Sequence, residues 1–335
     1  MKAVVFERYG SPDVLTVADV ETPVPHDHRV LLKVHAGAVN PADYGAMRGS
    51  TRLMTGVLKP RLNRLGIDVA GEVRAIGDKV TRFKPGDLVY GGCIRNPWAW
   101  SQTSWFSDYG SFAEFALSHE DALDLKPENL SFAEAASVPS VAWTALQGLD
   151  KYGGIQPGHK VLINSATGGI GTMAVQIAKA LGAAEVTGVC STKNIDLVKS
   201  LGADHVIDYA HEGYLTATPR YDLIFDSVGT ATFRSLRKML NPGGRVVMVG
   251  VRNNKVVTGM FARALVASVL SRTTRDVVVD FSRPTPDDLQ TITTLLSTGK
   301  LKPVVAREFS GLAQVAEAQR YVIDGHAWGK AVVTI

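Results

Sequence analysis

The sequence predicts a mixed α/β protein: a parallel sheet covered by helices on both faces, plus a β-rich part that draws on both ends of the chain. Three observations predict it. From residue 160 onward, short apolar strands alternate with segments of helical spacing. Between the first of these strands and its helix lies a loop almost bare of side chains, SATGGIG at 165–171. The segment from 303 returns to the β character of residues 1–125, so it is expected to fold back onto them.

Within residues 1–125, VLLKVHAGAV (30–39) and DVAGEVRAIG (68–77) are enriched in β-branched residues and end in turn formers. RFKPGDLVYGG (82–92) reads as a turn at Pro85-Gly86 leading into a strand, and GSFAEFALS (110–118) alternates again. Between them lies an aromatic loop with Trp98, Trp100, Trp105, Phe106 and Tyr109, the kind of cluster that lines or closes a pocket. Ser131 and Glu134 form a capping box, so a helix starts there, and Pro139 interrupts it before it resumes through Trp143 and Leu149. Strands then follow at 160–164, 185–190, 205–209, 222–228 and 245–250, with helices at 171–182, 194–202 and 231–240. Strands this uniformly apolar belong in a parallel sheet buried on both faces. VVTGMFARALVASVLSRTTR is expected to be helical, serving as a subunit interface or pocket wall rather than a membrane contact, and DVVVDF (276–281) is expected to be a strand. The chain end reads strand, helix, strand.

Composition narrows the class. The chain has 335 residues, 45% hydrophobic and 20% charged, a globular balance with ample core material. No run of apolar residues is long enough to span a bilayer. MKAVVFERYG reads as a strand, so no secretory signal is expected. Cys93 and Cys190 are in neither CxxC nor CxxH spacing, which speaks against a disulfide framework or a structural zinc and makes the cytoplasm the expected compartment. A net charge of +4 without a basic run does not point to nucleic acid.

The loop at 165–171 carries the chemistry. Small residues at Ala166, Gly168 and Gly171, between strand and helix, fit a dinucleotide frame. The first sits in the tight turn, the second lets backbone approach a pyrophosphate, and the third lets helix and strand pack closely. The helix N-terminus adds free N–H donors and partial positive charge. An acid at the end of the next strand would select NAD. That strand ends VCSTKN instead, with Ser191 and Lys193 in the acid's place and Tyr209 at the end of the third strand. A hydroxyl, a cation and a phenol suit a 2′-phosphate, so NADP(H) is the expected cofactor. The alternatives are a solvated lysine at a helix start and a serine cap.

At this point the sequence resembles the zinc-free medium-chain dehydrogenase/reductases, in particular the quinone oxidoreductase (zeta-crystallin-like) branch. The likeness rests on AGAVNPADYGAMRG (36–49), GIDVAGEVRAIGDKV (66–80), FKPGDLVYG (83–91), GSFAEF (110–115), SATGGIGTMAVQIAK (165–179), DSVG (226–229), GGRVVMVG (243–250) and GHAWGKAVV (325–333). It implies a GroES-like β-rich catalytic domain from 1–125 and 303–335, with a Rossmann NADP(H)-binding domain from 126–302 and the cofactor in the cleft. It further implies a pyrophosphate loop at Thr167, Gly169 and Ile170, with Thr144, Ser165, Gly168 and Gly171 in the cofactor set. Ser191, Lys193 and Tyr209 would face the 2′-phosphate. Gly250 and Val251 would flank the nicotinamide, and His326, Ala327 and Trp328, with Lys330 nearby, would close over the site. A homodimer is implied as well.

The alcohol-dehydrogenase branch of this superfamily holds a catalytic zinc. Here Asn40 stands where its first cysteine is expected, and Gly66-Ile67-Asp68 where Gly-His-Glu is expected. Asp68 reads as a structural acid in a turn, and no metal is expected. Without a metal, reduction of an already electrophilic acceptor remains accessible, because solvent protons and hydrogen bonds can meet the oxyanion. A quinone is the first choice. An α,β-unsaturated carbonyl or a simple carbonyl is the enzyme alternative, and an NADPH-binding sensor or structural protein is the non-enzyme one. Asn40, Asp43 and Tyr44 are the candidate polar groups near the nicotinamide, with Tyr44 the candidate proton donor. Asn40-Pro41 as a plain turn that Asp43 merely fixes is the alternative.

Overall fold

The computed structural model describes residues 1–50, 52, 56–61, 63–94, 110–216, 220–229, 231–249, 277–279 (backbone only), 285–325 and 327–335. These residues form two units: the described parts of 1–140, 283–299 and 303–335, and those of 141–282 and 300–302. The aromatic loop (Trp98 to Tyr109), the expected helix at 256–275, Gly250, Val251 and His326 lie outside the described residues.

The first unit opens with a two-stranded ribbon of β1 (Lys2–Val5) and β2 (Thr16–Asp19) and is built on one long strand. β3 (Arg29–Ala38) pairs antiparallel with β4 (Asp68–Ile76), with β6 (Phe115–His119) and with β15 (Lys330–Thr334). Beyond β15 lies β14 (Val305–Ser310), and beyond β4 lie β5 (Leu88–Gly92) and β7 (Leu123–Leu125). The chain end therefore does fold back onto the first strands. The strands alternate as the sequence predicts, and Val30, Leu32, Val34, Val69, Val73 and Val89 turn inward into one apolar cluster. Each such side chain contributes about 1.5–3 kcal/mol by leaving water.

Helix α1 (Pro41–Met47) stands where the alternative reading placed a plain turn at Asn40-Pro41. Asn40 is its N-cap, Pro41 occupies the first helical position, and Asp43 closes a capping box by accepting from the Asn40 N–H at 2.8 Å. Helix α2 (Phe132–Ala136) starts at the predicted Ser131–Glu134 box and ends before Pro139, which opens α3 (Pro139–Gln147). The first unit keeps α2, because Phe132 stacks on His35 of β3 with centroids 4.3 Å apart. It also holds α7 (Pro286–Ser297), a helix absent from the sequence reading. Thr293 on α7 donates to Asp124 Oδ2 at 2.5 Å and Asn129 donates to the Leu296 carbonyl at 3.2 Å, which ties this helix to β7. The unit thus extends past 125 and takes in part of 126–302.

The second unit carries a parallel sheet of β8 (Lys160–Asn164), β9 (Glu185–Cys190), β10 (His205–Asp208), β11 (Tyr221–Asp226), β12 (Leu240–Met248) and β13 (Val277–Val279). Among the described residues its order is β10-β9-β8-β11-β12-β13. That is the third-second-first-fourth-fifth-sixth arrangement of a doubly wound nucleotide-binding sheet, with the switch point between β8 and β11. Helices α4 (Gly169–Ala180), α5 (Ile195–Ser200) and α6 (Phe233–Arg237) follow β8, β9 and β11. The positions of β8, β9 and β10 match the sequence reading to within one residue because these strands are apolar on both faces, and Val161, Leu162 and Ile163 are fully buried; β12 instead starts at Leu240, inside the helix expected at 231–240, which ends at Arg237.

Candidate functional site

The loop between β8 and α4 has the shape its small residues allow. Ser165 takes a left-handed backbone, φ 64°, so the strained residue of the turn is a serine rather than one of the glycines. Gly168 N-caps α4, and no side chain caps the helix. The first-turn N–H groups therefore point out of the helix end, where an anion can meet them. A Cβ on Gly171 would stand 1.9 Å from the Ser165 carbonyl oxygen, so only glycine lets α4 close on the turn. Thr167, Gly168, Gly169 and Ile170 are half-buried around this opening, whereas Ala166 is fully buried and faces Gly188 of β9. The cradle fits a pyrophosphate.

β9 runs parallel beside β8, and β10 parallel beside β9. Ser191 follows β9 and Tyr209 follows β10, joined by the Tyr209 N–H donating to the Cys190 carbonyl at 3.0 Å. Lys193 sits exposed in the short 3-10 turn Thr192–Asn194 and has no ion-pair partner among the described residues. Tyr209 is 60% exposed. The three residues expected at a 2′-phosphate are thus brought to one sheet edge. Thr144 lies buried in α3.

In the first unit a closed polar network gathers four elements. Asp68, fully buried at the start of β4, accepts from the Ser140 N–H at 2.8 Å through Oδ1. Through Oδ2 it accepts from Ser140 Oγ at 2.6 Å, Asn40 Nδ2 at 2.9 Å and Lys330 Nζ at 3.1 Å. Lys330 Nζ also donates to Asn40 Oδ1 at 2.5 Å and to the Val39 carbonyl at 3.1 Å. Three expectations change here. Asp68 belongs to a strand, not a turn. Lys330 does not reach out as a cover, because all its donors are engaged inside the protein. Asn40 has both amide hydrogens committed, to Asp68 and to the Ala38 carbonyl at 3.3 Å, and leaves none for a substrate. Asp43 fixes the start of α1 and also accepts from the Gly66 N–H at 2.9 Å; burial pushes its carboxyl up to about 6. Tyr44 packs its ring against the apolar cluster around Val39, Met47 and Ala318, with the Arg48 guanidinium 5.4 Å from the ring centre. Ala327 is half-buried and Trp328 is 39% exposed in the turn before β15.

The sequence reading missed Ser140 and the role of Lys330. A serine at a helix start and a lysine at a strand start carry no local signal; only the fold brings them to Asp68. The donor set does not suit zinc, which wants thiolate, imidazole or carboxylate ligands. At the positions expected of the zinc ligands stand an amide, an isoleucine and an aspartate, and the aspartate already has an ammonium against it. Among the described residues, no cluster of three or more His, Cys, Asp or Glu side chains could hold a metal ion.

Comparison with known proteins agrees with this architecture. Residues 26–128 match the family model of the alcohol dehydrogenase GroES-like domain, and residues 201–333 that of a zinc-binding dehydrogenase. A 2-methylene-furan-3-one reductase of Solanum lycopersicum is 35% identical over 99% of this chain and 79% of its own length. A chloroplastic NADPH-dependent alkenal/one oxidoreductase of Arabidopsis thaliana is 33% identical over the same shares. The solved structure of the quinone oxidoreductase from Coxiella burnetii superposes with a TM-score of 0.84, at 30% identity, covering 100% of this chain and 99% of that one. A Rossmann sheet, a GroES-like unit and near full-length similarity to such reductases converge, and the chain belongs to the medium-chain dehydrogenase/reductase superfamily, in its quinone oxidoreductase branch.

Proposed function

We propose that this protein is an NADPH-dependent, metal-independent reductase of small electrophiles, with a quinone as the first acceptor. The observation that carries the reading is the sheet edge of the second unit. A bare loop opens a helix N-terminus toward a diphosphate, and Ser191, Lys193 and Tyr209 stand where an acid would otherwise select NAD. Bound there, NADPH supplies the hydride. The protein holds the phosphates with backbone N–H groups and the Lys193 cation, and fixes the cofactor's orientation.

No Lewis acid is required. A quinone is already electrophilic, and the oxyanion formed on reduction can take its proton from water. This division of labour fits a first unit in which the Asn40 amide and the Lys330 ammonium are both engaged within the fold. Tyr44, whose hydroxyl has no partner among the described residues, remains the side-chain proton donor of the proposal. The names of the furanone reductase and the alkenal/one oxidoreductase favour a conjugated enone as the second acceptor class. A cytosolic homodimer belongs to the same proposal; gel filtration tests the dimer.

Steady-state assays with NADPH and NADH against a quinone, a conjugated enone and a saturated ketone test this reading. The expected order is quinone or enone well above ketone, with NADPH preferred. Lys193→Glu is expected to weaken NADPH by about 10- to 100-fold, the worth of one charge-assisted contact, with NADH nearly unchanged. Turnover that vanishes on chelation and returns with zinc would overturn the metal-independent part. NADPH binding without turnover of any acceptor would overturn the enzymatic part.

A further inference from the structure

The edge that carries Ser191, Lys193 and Tyr209 holds one more group, a carboxylate. Asp208 ends β10, in register with Cys190 of β9, and is only 7% exposed. Its Oδ2 accepts from Thr192 Oγ1 at 2.5 Å and its Oδ1 accepts from the Ala210 N–H at 3.0 Å. Both donors flank the phosphate-facing residues: Thr192 lies between Ser191 and Lys193, and Ala210 follows Tyr209. The turn is braced a second time within itself, by Asn194 Nδ2 donating to Ser191 Oγ at 3.2 Å and the Asn194 N–H donating to the Ser191 carbonyl at 2.9 Å. His211 stands 3.9 Å from Asp208 Oδ2 and is largely exposed.

A negative charge beside a site for a doubly charged phosphate works against binding by Coulomb's law alone. A buried carboxylate is also costly unless it is well bonded. Asp208 is bonded, and to the two turns that carry the recognition residues. We propose that Asp208 is a positioning residue for cofactor selectivity: by clamping Thr192 to the turn after β10, it fixes Lys193 and Tyr209 in one arrangement around the 2′-phosphate. This rests on NADPH being the cofactor. Asp208 does not touch the ligand. The Thr192 hydroxyl bond, the foremost of its stabilising contacts, holds its carboxyl below the usual range, so it stays an acceptor under ordinary conditions. An acid on the second strand would read ribose hydroxyls; this acid, on the third strand and turned inward, holds the machinery that reads a phosphate.

The two effects of the carboxylate predict opposite signs, which makes the proposal testable. Dissociation constants for NADPH and NADH are measured by cofactor fluorescence for the full chain and for Asp208→Asn, Thr192→Val, Thr192→Ser and the Asp208→Asn/Thr192→Val pair. Loss of the clamp, felt by the phosphate only through the placement of Lys193 and Tyr209, is expected to lower the NADPH-over-NADH preference by about 5- to 10-fold, the worth of about one ordinary hydrogen bond, in both Asp208→Asn and Thr192→Val. Thr192→Ser, which keeps the hydroxyl, is expected to retain the preference, and the double variant to lose no more than either single one. Tighter NADPH binding in Asp208→Asn would show that repulsion dominates and overturn the proposal. An unchanged preference, or equal loss of both cofactors, would overturn it as well. If the unaltered protein shows no preference for NADPH, the cofactor assignment itself has failed, and the proposal falls with it. Thr192 is exposed, so its variants report even if Asp208→Asn folds poorly.

Discussion

Lys330 Nζ lies 3.1 Å from Asp68 Oδ2, and both side chains are withdrawn from water, 5% and 0% exposed. The pair joins the beginning of the last strand, β15, to the beginning of β4. Asn40 and Ser140 complete the shell, so every polar atom of the pair has a partner. Residues 201–333 match the model of a zinc-binding dehydrogenase, yet the carboxylate at the position expected of a zinc ligand, Asp68, has the Lys330 ammonium against it.

Breaking this pair is expected to cost far more than its attraction is worth. Lys330→Met leaves a buried carboxylate without its counter-charge, which costs about 3–5 kcal/mol. Asp68→Asn in the same chain removes that charge, so the double variant is expected to be more stable than Lys330→Met alone. Urea unfolding of the two chains checks this, and equal stability would show that the charge pairing does not matter.

Asp43 gives the protein a pH-dependent term of known sign. Its carboxyl is pushed up to about 6 from an ordinary 3.8, chiefly by burial, with the Gly66 and Asn40 N–H groups pulling the other way. Between those values the folded state binds the proton and the unfolded state does not. Stability from this residue is therefore full below about pH 4 and falls as pH rises through about 6, by about 3 kcal/mol in all. The unfolding free energy of the protein minus that of Asp43→Asn is expected to fall by about that amount from pH 4 to pH 7. Parallel curves would show that Asp43 ionises normally in the fold.

The two outer glycines of the cofactor loop are expected to fail differently. A methyl on Gly171 would meet the Ser165 carbonyl at 1.9 Å, backbone that cannot step aside. Gly171→Ala is therefore expected to destabilise the second unit by at least the 1–3 kcal/mol typical of overpacking, roughly speaking. A methyl on Gly168 would stand 3.2 Å from Ser165 Oγ, which can rotate away. Gly168→Ala is expected to melt almost as the parent does yet bind NADPH about tenfold more weakly, equivalent to about 1.4 kcal/mol. Equal melting losses in both variants would mean that Gly168 serves packing rather than the ligand.

The parts of this molecule that could be read from sequence are those whose information is local. The strands at 160–164 and 185–190 agree with the structure residue for residue, because strands buried on both faces are apolar throughout and stop at their turns. The Ser131–Glu134 cap is equally local, and both its hydrogen bonds are present. Helix α7 gives a weak sequence signal although Thr285, Pro286 and Asp288 form a good helix start, since a mostly polar threonine-rich helix shows a thin apolar stripe, here Leu289, Ile292 and Leu296. The network around Asp68 was out of reach for a different reason. Asn40, Asp68, Ser140 and Lys330 are far apart in the chain, and each has an unremarkable neighbourhood. Their meaning arises when β15 and β4 both pair with β3 and bring Lys330 and Asp68 to Asn40.

Gln319 is a buried polar residue whose side chain finds no hydrogen-bond partner among the described residues. It is fully buried in α8 (Val315–Ile323), and neither its amide oxygen nor its amide nitrogen has a hydrogen-bond partner among the described residues. Burying such an amide without compensation costs about 1–3 kcal/mol, and an apolar side chain of the same length avoids that cost. The neighbours on α8, Val315 and Ala318, already face an apolar cluster with Phe309 and Val333. Gln319→Met is therefore expected to raise unfolding stability by about 1–3 kcal/mol in urea, with no change in NADPH affinity, since α8 belongs to the first unit and the cofactor loop to the second. A loss of stability on this change would show that an internal water already satisfies the amide.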